Sequence, residues 1–534
     1  MGLKDLPRII RKEVTWGKSQ QEIIGSDSED GLTITLQDGR EAFVHQDTIA
    51  PSGQKSYWPI FTAGAGLFSD GYVNNSASSI SACLKLIYGT QYTESHAIQN
   101  VSSIVFAGTV VGMLAFGVFS DYISRKTGML VSSAGLILFS ILAAGSWGAG
   151  TQGCKGCNAG GLFACLTAFR FFLGIFIGAE YPTGSAACAE ASALLPAGRR
   201  NRYFAWFTNF MIDSGFVISS FVTMVMLWIC GPNHLQPVWR VTIGLGAIPP
   251  FSLFIMRLKF HEGQQFKKLN FKHINVPWML CLKYFGFRLA LVSIIWFIYD
   301  FSAYAFGIYS TTILTTIVPG DDLYKAFGWN VVFNLFYIPG AFIGAAVADY
   351  IGPRLTLVIG LICQAVVGYA MAANYETLSK HIAGFVVVYG IFMTLGEFGP
   401  GDNIGLLSSK SCATPVRGVY YGIAAAIGKV GAFSGTYAFP SFQAHYPGIK
   451  GYQVPFWLAS SLAIFAAILA LFFLPPVDQE AMQREDLKFL QYLSAHGFDV
   501  TQLGEGTFSE SFKSKEETVH IEQNSKKEDN SSSI

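Results

Sequence analysis

Four ionisable side chains interrupt long apolar stretches of this sequence: Asp70, Glu180, Asp300 and Lys429. A charge at the centre of a membrane-length segment costs about 2.5–3.5 kcal/mol on insertion scales, so such a group should face a water-filled cavity or an ionic partner. A carboxyl group in low-dielectric surroundings holds its proton more tightly, which would suit Asp70 to proton transfer. Packing at a helix kink is the alternative role for Asp70.

Lys429 is the only basic residue deep inside its apolar stretch. An ammonium group without a partner would lose its charge there, so it needs a carboxylate such as Asp300, or an anionic substrate, and the two could alternate. Tyr181 could donate a hydrogen bond to a phosphoryl oxygen, or pack as an ordinary tyrosine. These residue types suggest an exchange of anions and protons in a wet pocket halfway across a bilayer.

The composition places the chain in a membrane. Of its 534 residues, 51% are hydrophobic and only 13% are charged, whereas soluble domains have about 25% charged residues. The net charge of +1 and the scattered basic residues do not predict nucleic-acid binding. Residues 1–57 lack the apolar core of a secretory signal peptide, so the first spanning segment would act as the insertion signal.

Most of the nine cysteines lie within apolar stretches, where small core residues are expected. Cys154 and Cys157 instead lie in a glycine-rich loop. Because no two further ligands are nearby, we predict no metal site there. The pair would be free thiols or, if the loop is extracellular, a disulfide.

Twelve stretches are long enough to cross a hydrocarbon core of about 30 Å as helices. They lie near residues 58–80, 100–120, 128–148, 162–184, 203–230, 238–257, 287–309, 329–349, 355–373, 382–403, 419–440 and 454–475, and are called segments one to twelve below. The basic connection 258–286 divides the chain into halves 57–257 and 287–475. Residues 1–56 form a polar N-terminal segment and 476–534 a tail, with a short helix expected near 482–496 and disorder expected after Thr507.

Lysine and arginine distribution predicts the orientation. Fifteen of these residues fall in loops on the side of the N-terminus and six in loops on the other side. Cytoplasmic loops carry the excess of positive charge, so both termini are predicted to be cytoplasmic.

The two halves also repeat a motif. Residues 117–126 (GVFSDYISRK) follow segment two, and residues 348–354 (ADYIGPR) follow segment eight. Both contain Asp-Tyr-Ile with a basic residue five positions after the aspartate. Such internal repetition is typical of two-bundle secondary transporters.

The first copy resembles the signature loop of the major facilitator superfamily, and the second is a degraded copy in which Pro353 replaces a basic residue. Further stretches resemble the phosphate:H⁺ symporter family and, within it, fungal glycerophosphoinositol permeases. They are residues 69–74 (SDGYVN), 178–183 (GAEYPT), 296–301 (WFIYDF), 399–402 (GPGD), 417–418 (RG) and 428–431 (GKVG). The resemblance covers the membrane region from Tyr57 to the end of segment twelve.

The resemblance implies an all-α fold of twelve transmembrane helices in two six-helix bundles, with a site between them. It implies proton-coupled import (symport) of glycerophosphoinositol, glycerophosphocholine or both at the plasma membrane, without a cofactor or covalent chemistry. The expected partners are a small anionic substrate, H⁺ and membrane lipid, and the oligomeric state stays open. No phosphate-binding loop or nucleophile elbow is present in the sequence, so we do not predict an enzyme.

The resemblance also implies roles for individual residues. Those expected to bind substrate are Lys429, Tyr181, Asp300, Asp402 and Asn403. Those expected to couple protons are Asp70, Glu180 and Asp300, although Asp300 could instead lock one conformation through a salt bridge. The motif residues expected to control opening are Gly117, Asp121, Arg125, Lys126, Asp349 and Arg354. Asp402 and Asn403 are read as the end of segment ten, and Asp402 could equally be a helix end near the surface.

Two alternatives remain. One is an inorganic phosphate:H⁺ symporter, against which weigh Glu180 and Asp213, since the phosphate transporters have Asp and Gln at the corresponding positions. The other is a non-transporting nutrient sensor on the same scaffold, against which weigh the short polar ends of the chain.

Overall fold

The computed structural model describes residues 6–14, 31–35, 41–45, 56–196, 198–272, 274–317, 322–446, 448–479 and 481–504. Helices occupy all twelve predicted positions, which confirms the helical membrane region. Segments one to six comprise Trp58–Gly64 with Phe68–Tyr88, Ala97–Tyr122, Arg125–Ala144, Leu162–Glu180 with Ala186–Ala193, Arg200–Phe207 with Asn209–Cys230, and Leu235–Leu245 with Ile248–Leu258. Segments seven to twelve comprise Trp278–Ile317, Leu323–Leu335 with Tyr337–Ile351, Pro353–Ala373, Ile382–Gly396 with Asp402–Lys410, Arg417–His445 and Ile449–Phe473.

Ten described helical segments are long and apolar enough to cross a membrane. The two that fall short are segment one, with its many serines and asparagines, and segment eleven. These two helices carry Asp70 and Lys429. The polar side chains of these two helices should therefore face the protein interior, because polar groups in a membrane-spanning helix are tolerated only there.

Within the first half, segment two packs closely on segment four. A Cβ atom added to Gly108 would lie 2.1 Å from the carbonyl oxygen of Phe171, and one added to Gly112 would lie 2.0 Å from that of Ile175. Only glycine allows the two backbones to approach this closely. Segment two also packs on segment eleven, and segment five on segment eight, so these pairs join the two halves.

Segments four and ten each continue through a π-helical turn, at Tyr181–Ser185 and Glu397–Gly401. Pro182 and Pro400 lie in these turns, and proline removes a backbone donor and so favours a bulge inside a helix. The helices then run on to Ala193 and Lys410, beyond the predicted ends at 184 and 403. Asp402 and Asn403 therefore lie in the middle of segment ten, which excludes a helix end near the surface.

Segment seven begins at Trp278 rather than near residue 287. Its first turns are covered by a tail helix, Ala481–Ala495, which matches the helix expected near 482–496. Cys281 and Phe285 of segment seven form one apolar cluster with Leu487 and Phe489 of the tail helix. Packing in this cluster stabilises the first turns of segment seven, so the helix is longer than membrane thickness alone requires. The predicted disorder after Thr507 lies outside the described residues.

The N-terminal segment contains elements that the sequence analysis did not expect. Helix α1 spans Leu6–Glu13, and an antiparallel hairpin pairs β1 (Gly31–Thr35) with β2 (Glu41–His45). Strand β1 contacts the tail helix, so both soluble ends of the chain meet at one place. The remaining short helices are Thr90–Thr93, Gln264–Lys268 and Tyr375–Leu378, and the 3₁₀ turns are Ala65–Leu67, Thr414–Val416 and Val500–Gln502. Cys154 and Cys157 form a disulfide in the loop between segments three and four.

Candidate functional site

Lys429 of segment eleven lies between two carboxylates. Its Nζ is 3.6 Å from Oδ2 of Asp70 in segment one and 3.5 Å from Oδ2 of Asp300 in segment seven, and all three side chains are buried. Lys429 also donates a hydrogen bond to the hydroxyl of Tyr304. The ion pair expected between Lys429 and Asp300 is present, and Asp70 is a second partner from the other half of the chain.

Two tyrosines hold Asp70 in place. The hydroxyls of Tyr181 and Tyr304 donate to its Oδ2 at 2.7 and 2.9 Å, and the amide of Asn74 donates to its Oδ1 at 2.7 Å. The Lys429 ammonium lies 5.1 Å from the ring centroid of Tyr181 and 3.7 Å from that of Tyr304. At such distances the ring faces attract the cation. Asp70 is thus satisfied by hydrogen bonds, whereas Oδ2 of Asp300 has the ion pair but no hydrogen bond.

A second group of acids faces the same space. Asn209 of segment five donates through Nδ2 to Oε2 of Glu397 at 3.0 Å and to Oδ1 of Asp402 at 3.2 Å, both in segment ten. The hydroxyl of Tyr299 donates to Oε1 of Glu397 at 2.8 Å. Asp213, one turn after Asn209, is fully buried, and neither of its oxygens has a hydrogen-bond partner among the described residues. We call Asp213, Glu397 and Asp402 the acid cluster.

Both groups border one cavity of about 70 Å³ between the two halves. Its lining includes Lys429, Tyr181, Asp300 and Asp402 of the expected site, together with the rest of the acid cluster. Asp70 is not in the lining and lies behind the hydroxyls of Tyr181 and Tyr304. The cavity therefore has a cationic end at Lys429 and an acidic end at the acid cluster.

Glu180 lies elsewhere. Its two carboxylate oxygens accept hydrogen bonds at 2.6 and 2.7 Å from the guanidinium of Arg257, and Ser132 donates to it at 2.6 Å. The pair is buried inside the first half and does not border the cavity. The expectation that Glu180 shares the cavity with Lys429 is not met, because Arg257, at the end of segment six, points into the bundle and pairs with it. A role for Glu180 in proton coupling stays a prediction.

Asn403 does not border the cavity either. Its side-chain amide donates to the carbonyl oxygen of Gly399 at 2.8 Å, one turn earlier in segment ten. Asn403 thus satisfies a backbone group beside the π-helical turn, and its role in substrate binding stays a prediction.

The repeated motifs join the two halves at one end of the molecule, which we call the motif face. Asp121 accepts hydrogen bonds from the backbone nitrogens of Gly418 and Val419, at 2.9 and 2.7 Å, at the start of segment eleven. A carboxylate at a helix N-terminus satisfies free donors and interacts favourably with the helix dipole. Gly117 approaches the same turn, since a Cβ atom there would lie 3.0 Å from the carbonyl oxygen of Gly418. The first motif thus clamps segment two onto segment eleven.

The second motif repeats this clamp in the other direction. Asp349 accepts from the backbone nitrogen of Asn201 at 3.1 Å, at the start of segment five, and from Nε of Arg202 at 2.5 Å. Arg354 forms a buried ion pair with Glu13 of helix α1. The two aspartates of the motifs therefore play equivalent parts in the two halves.

Arg125 and Lys126 extend the first clamp. Arg125 lies 3.5 Å from Asp121 and 2.8 Å from Glu190, and Glu190 is also 2.8 Å from Arg417. Lys126 donates to the carbonyl oxygen of Leu258 at 2.8 Å, which links segments three and six. Glu190 thus joins an arginine from each half.

The opposite face is joined by hydroxyl and amide contacts. Thr436 of segment eleven donates to Ser103 of segment two at 3.0 Å. Asn330 and Asn334 of segment eight donate to Ser220 of segment five at 3.3 and 3.0 Å. Contacts thus join the halves on both faces of the cavity, a conformation that we call the enclosed form, and widening the cavity from either side requires one set of contacts to break.

The sequence analysis missed Glu397, Asn209 and Tyr299 as site residues. A signal for Glu397 was available: it stands three residues before Pro400, much as Glu180 stands two residues before Pro182. Glu180 directly precedes the π-helical turn of segment four, and Glu397 is the first residue of the turn in the equivalent segment ten. The internal repeat could have identified Glu397, whereas Asn209 and Tyr299 carry no comparable mark.

A charged cavity between two six-helix halves, with hydrogen bonds and ion pairs that join the halves on both faces, defines a membrane transporter of the two-bundle type. The family model "Sugar (and other) transporter" matches residues 59–267 and 259–484, and the chain belongs to this family. The family and the relatives named below are membrane transporters.

The chain is 54% identical to the major glycerophosphoinositol permease GIT3 of Candida albicans, over 93% of this chain and 91% of that protein. It is 53% identical to the glycerophosphocholine permease GIT4 of the same organism, over 93% and 90%. The proton:xylose symporter XylE of E. coli has a similar fold, with a TM-score of 0.65 at 14% identity, over 82% of this chain and 98% of that one. The resemblance to the glycerophosphoinositol permeases is thereby confirmed.

Proposed function

We propose that this protein imports glycerophosphodiesters (glycerophosphoinositol, glycerophosphocholine or both) across the plasma membrane together with protons, with both termini in the cytoplasm. The observation that carries the proposal is the placement of Lys429 between Asp70 and Asp300 at a cavity lined by both halves. The names of the relatives at 53–54% identity support the choice of substrate.

The charges at Lys429 explain why protons would be needed. One ammonium and two carboxylates leave one net negative charge when all are ionised. A phosphodiester brings another negative charge, and like charges in low dielectric repel strongly. A proton on Asp70 or Asp300 removes this repulsion and frees Lys429 to donate to the phosphate. Asp300 is the better first acceptor, because its Oδ2 has no hydrogen bond to lose.

Tyr181 and Tyr304 would then change partners. Both hydroxyls donate to Asp70 in the enclosed form. When Asp70 is protonated it becomes a weaker acceptor, and the hydroxyls are available for phosphoryl oxygens. Asp70 lies behind these tyrosines, so it would sense the substrate through them.

Movement of the halves completes the cycle. A cavity of about 70 Å³ is well below the ~300–1,000 Å³ of sites for drug-sized ligands. The halves must therefore part to admit a diester, at one face or the other. Release at the motif face requires Asp121 and Asp349 to leave the starts of segments eleven and five. The bundles would rock around the filled site.

Inorganic phosphate fits the cavity less well. Inorganic phosphate can lose a second proton near neutral pH, as a phosphate monoester does, whereas a phosphodiester carries one negative charge only. Four acids and one lysine border the cavity, so an additional negative charge on the ligand adds repulsion. No contact in the described residues favours a sensor that does not transport.

The test is uptake of labelled glycerophosphoinositol and glycerophosphocholine by a yeast host that lacks its own permeases. We expect saturable uptake that a protonophore abolishes and a tenfold excess of inorganic phosphate does not inhibit. Strong inhibition by phosphate would favour a phosphate symporter. Absence of uptake of either diester by correctly localised protein would refute the proposed transport.

A further inference from the structure

The acid cluster has no part in the cycle described above, and three of its six carboxylate oxygens have no hydrogen-bond donor among the described residues. We propose that Asp213 and Asp402, oriented by Asn209 and Glu397, bind a hydroxyl-rich, uncharged head group of the diester while Lys429 binds its phosphate. The inference rests on the proposed function and names the substrate preference of the same cavity: a polyol diester over a quaternary ammonium diester.

The unpaired oxygens carry the argument. Both oxygens of Asp213 and Oδ2 of Asp402 are buried and have no hydrogen-bond partner among the described residues, and both residues border the cavity. A buried acceptor without a donor is unfavourable. A ligand in the cavity that supplies O–H donors would satisfy three acceptors at once.

The charges around the cluster point the same way. Among the described residues no lysine or arginine forms an ion pair with Asp213, Glu397 or Asp402, whereas Lys429 lies at the other end of the cavity. A phosphate is therefore drawn to Lys429 and away from the acid cluster. The diester is oriented by this difference, with its phosphate at one end and its head group at the other.

The chemistry of the head group decides between the candidates. Hydroxyl groups of a polyol ring donate directional hydrogen bonds to carboxylate oxygens. A quaternary ammonium head group has no N–H or O–H donor and is recognised mainly by aromatic faces and charge. It would leave the oxygens of Asp213 unpaired. The unpaired acceptors thus favour the polyol.

The link between Asn209 and the acids explains how the subsite could change with the transport cycle. Asn209 belongs to the first half, and Glu397 and Asp402 belong to the second, so its two hydrogen bonds break when the halves part. Ring hydroxyls can then replace the Asn209 amide as donors to these acids. Closure around the head group would restore a satisfied network.

The experiment compares both diesters in Asp213→Asn and Asp402→Asn, with Glu376→Gln, an exposed carboxylate on the loop beyond segment nine, as the matched control. Half-saturation and maximal rate are measured for uptake and for exchange with substrate loaded inside. We expect half-saturation for glycerophosphoinositol to rise about tenfold or more, or ~1.4 kcal/mol. For glycerophosphocholine, and for the control with either diester, we expect less than about threefold, under ~0.7 kcal/mol.

Three other outcomes would overturn the inference. A larger loss for glycerophosphocholine would identify a cation subsite. Equal loss of uptake for both diesters with exchange intact would assign the acids to proton carriage, and equal loss in both assays would assign them to the shared glycerol end. If Asp213→Asn fails to reach the membrane, Asp402→Asn makes the same comparison. Wild-type protein that transports neither diester would instead refute the proposed function itself.

Discussion

Lys429→Ala removes the one cation at the cationic end of the cavity and leaves Asp70 and Asp300 facing each other. Loss of one partner of a buried ion pair typically costs about 3–5 kcal/mol, because the remaining charge is uncompensated. Two carboxylates are left here, so we expect them to take up a proton and part of the cost to be relieved. The enclosed form should therefore be less stable, and its stability should recover at low pH.

Substrate binding should suffer separately from stability. A hydrogen bond to a charged group contributes about 1.5–3 kcal/mol, which corresponds to about 10–150-fold in affinity. Lys429→Ala should thus lower uptake to about 1–20% of wild type at substrate concentrations near wild-type half-saturation. The assay is labelled diester uptake, normalised to the amount of protein at the plasma membrane and accompanied by the thermal unfolding midpoint of the purified protein.

A second substitution distinguishes the two effects. Lys429→Ala combined with Asp300→Asn again leaves one net negative charge, as in the wild type, so the unfolding midpoint should recover. Uptake should not recover, because the phosphate still lacks its cation. Uptake by Lys429→Ala within about twofold of wild type, at normal membrane levels, would refute a substrate role for this lysine.

Three further outcomes follow from the contacts. Glu180→Gln leaves the buried guanidinium of Arg257 unpaired and should lower stability by about 3–5 kcal/mol while reducing uptake of both diesters in the same proportion; a selective loss of one diester would contradict a structural role. Glu190→Gln should weaken the motif face, detected as faster alkylation of a cysteine introduced near Arg417. Burial raises the pKa of Asp486 in the tail helix to about 6, although Thr414 donates to it through N and Oγ1 and Arg417 lies nearby. Asp486 holds its proton more tightly when the tail is docked than when the tail is free, so docking should weaken as pH rises from 3.8 to about 6 and stay constant above about 6. Proteolysis should therefore cut the tail faster at pH 7 than at pH 5. Asp486→Asn should remove this difference.

The membrane region could be predicted from sequence because bilayer thickness and side-chain hydropathy determine it locally. The first turns of segment seven, residues 278–286, could not be predicted in this way. The tail helix, nearly 200 residues later in the sequence, covers their apolar side chains, and local hydropathy does not report such a contact. The continuation of segments four and ten beyond residues 184 and 403 was missed for a related reason: a proline near a predicted end favours a break, and only packing decides between an end and a bulge.

At the site, the sequence predicted that buried charges must be paired but not with which partner. Asp300 was named as a partner of Lys429, with an anionic substrate as the alternative, because a buried ammonium needs a counter-charge, and the ion pair is present. Arg257 was counted as a loop residue, because it stands at the edge of segment six, and so the partner of Glu180 was overlooked. Which face of a helix a terminal arginine occupies depends on the rotation of that helix in the bundle, and hydropathy alone does not fix this rotation.

The enclosed form must not be too stable if the protein is to turn over. The polar contacts that join the halves include neutral hydrogen bonds such as those of Ser220, with a net contribution of about 0.5–1.5 kcal/mol each, and hydrogen bonds to carboxylates such as those of Asp121 and Glu397, with about 1.5–3 kcal/mol each. A ligand can shift a conformational equilibrium only by its difference in affinity between the states. A bound phosphodiester and a proton must therefore offset the contacts that break on one face. The unpaired oxygens of the acid cluster act in the same direction, because they make the empty enclosed form less favourable than the filled one.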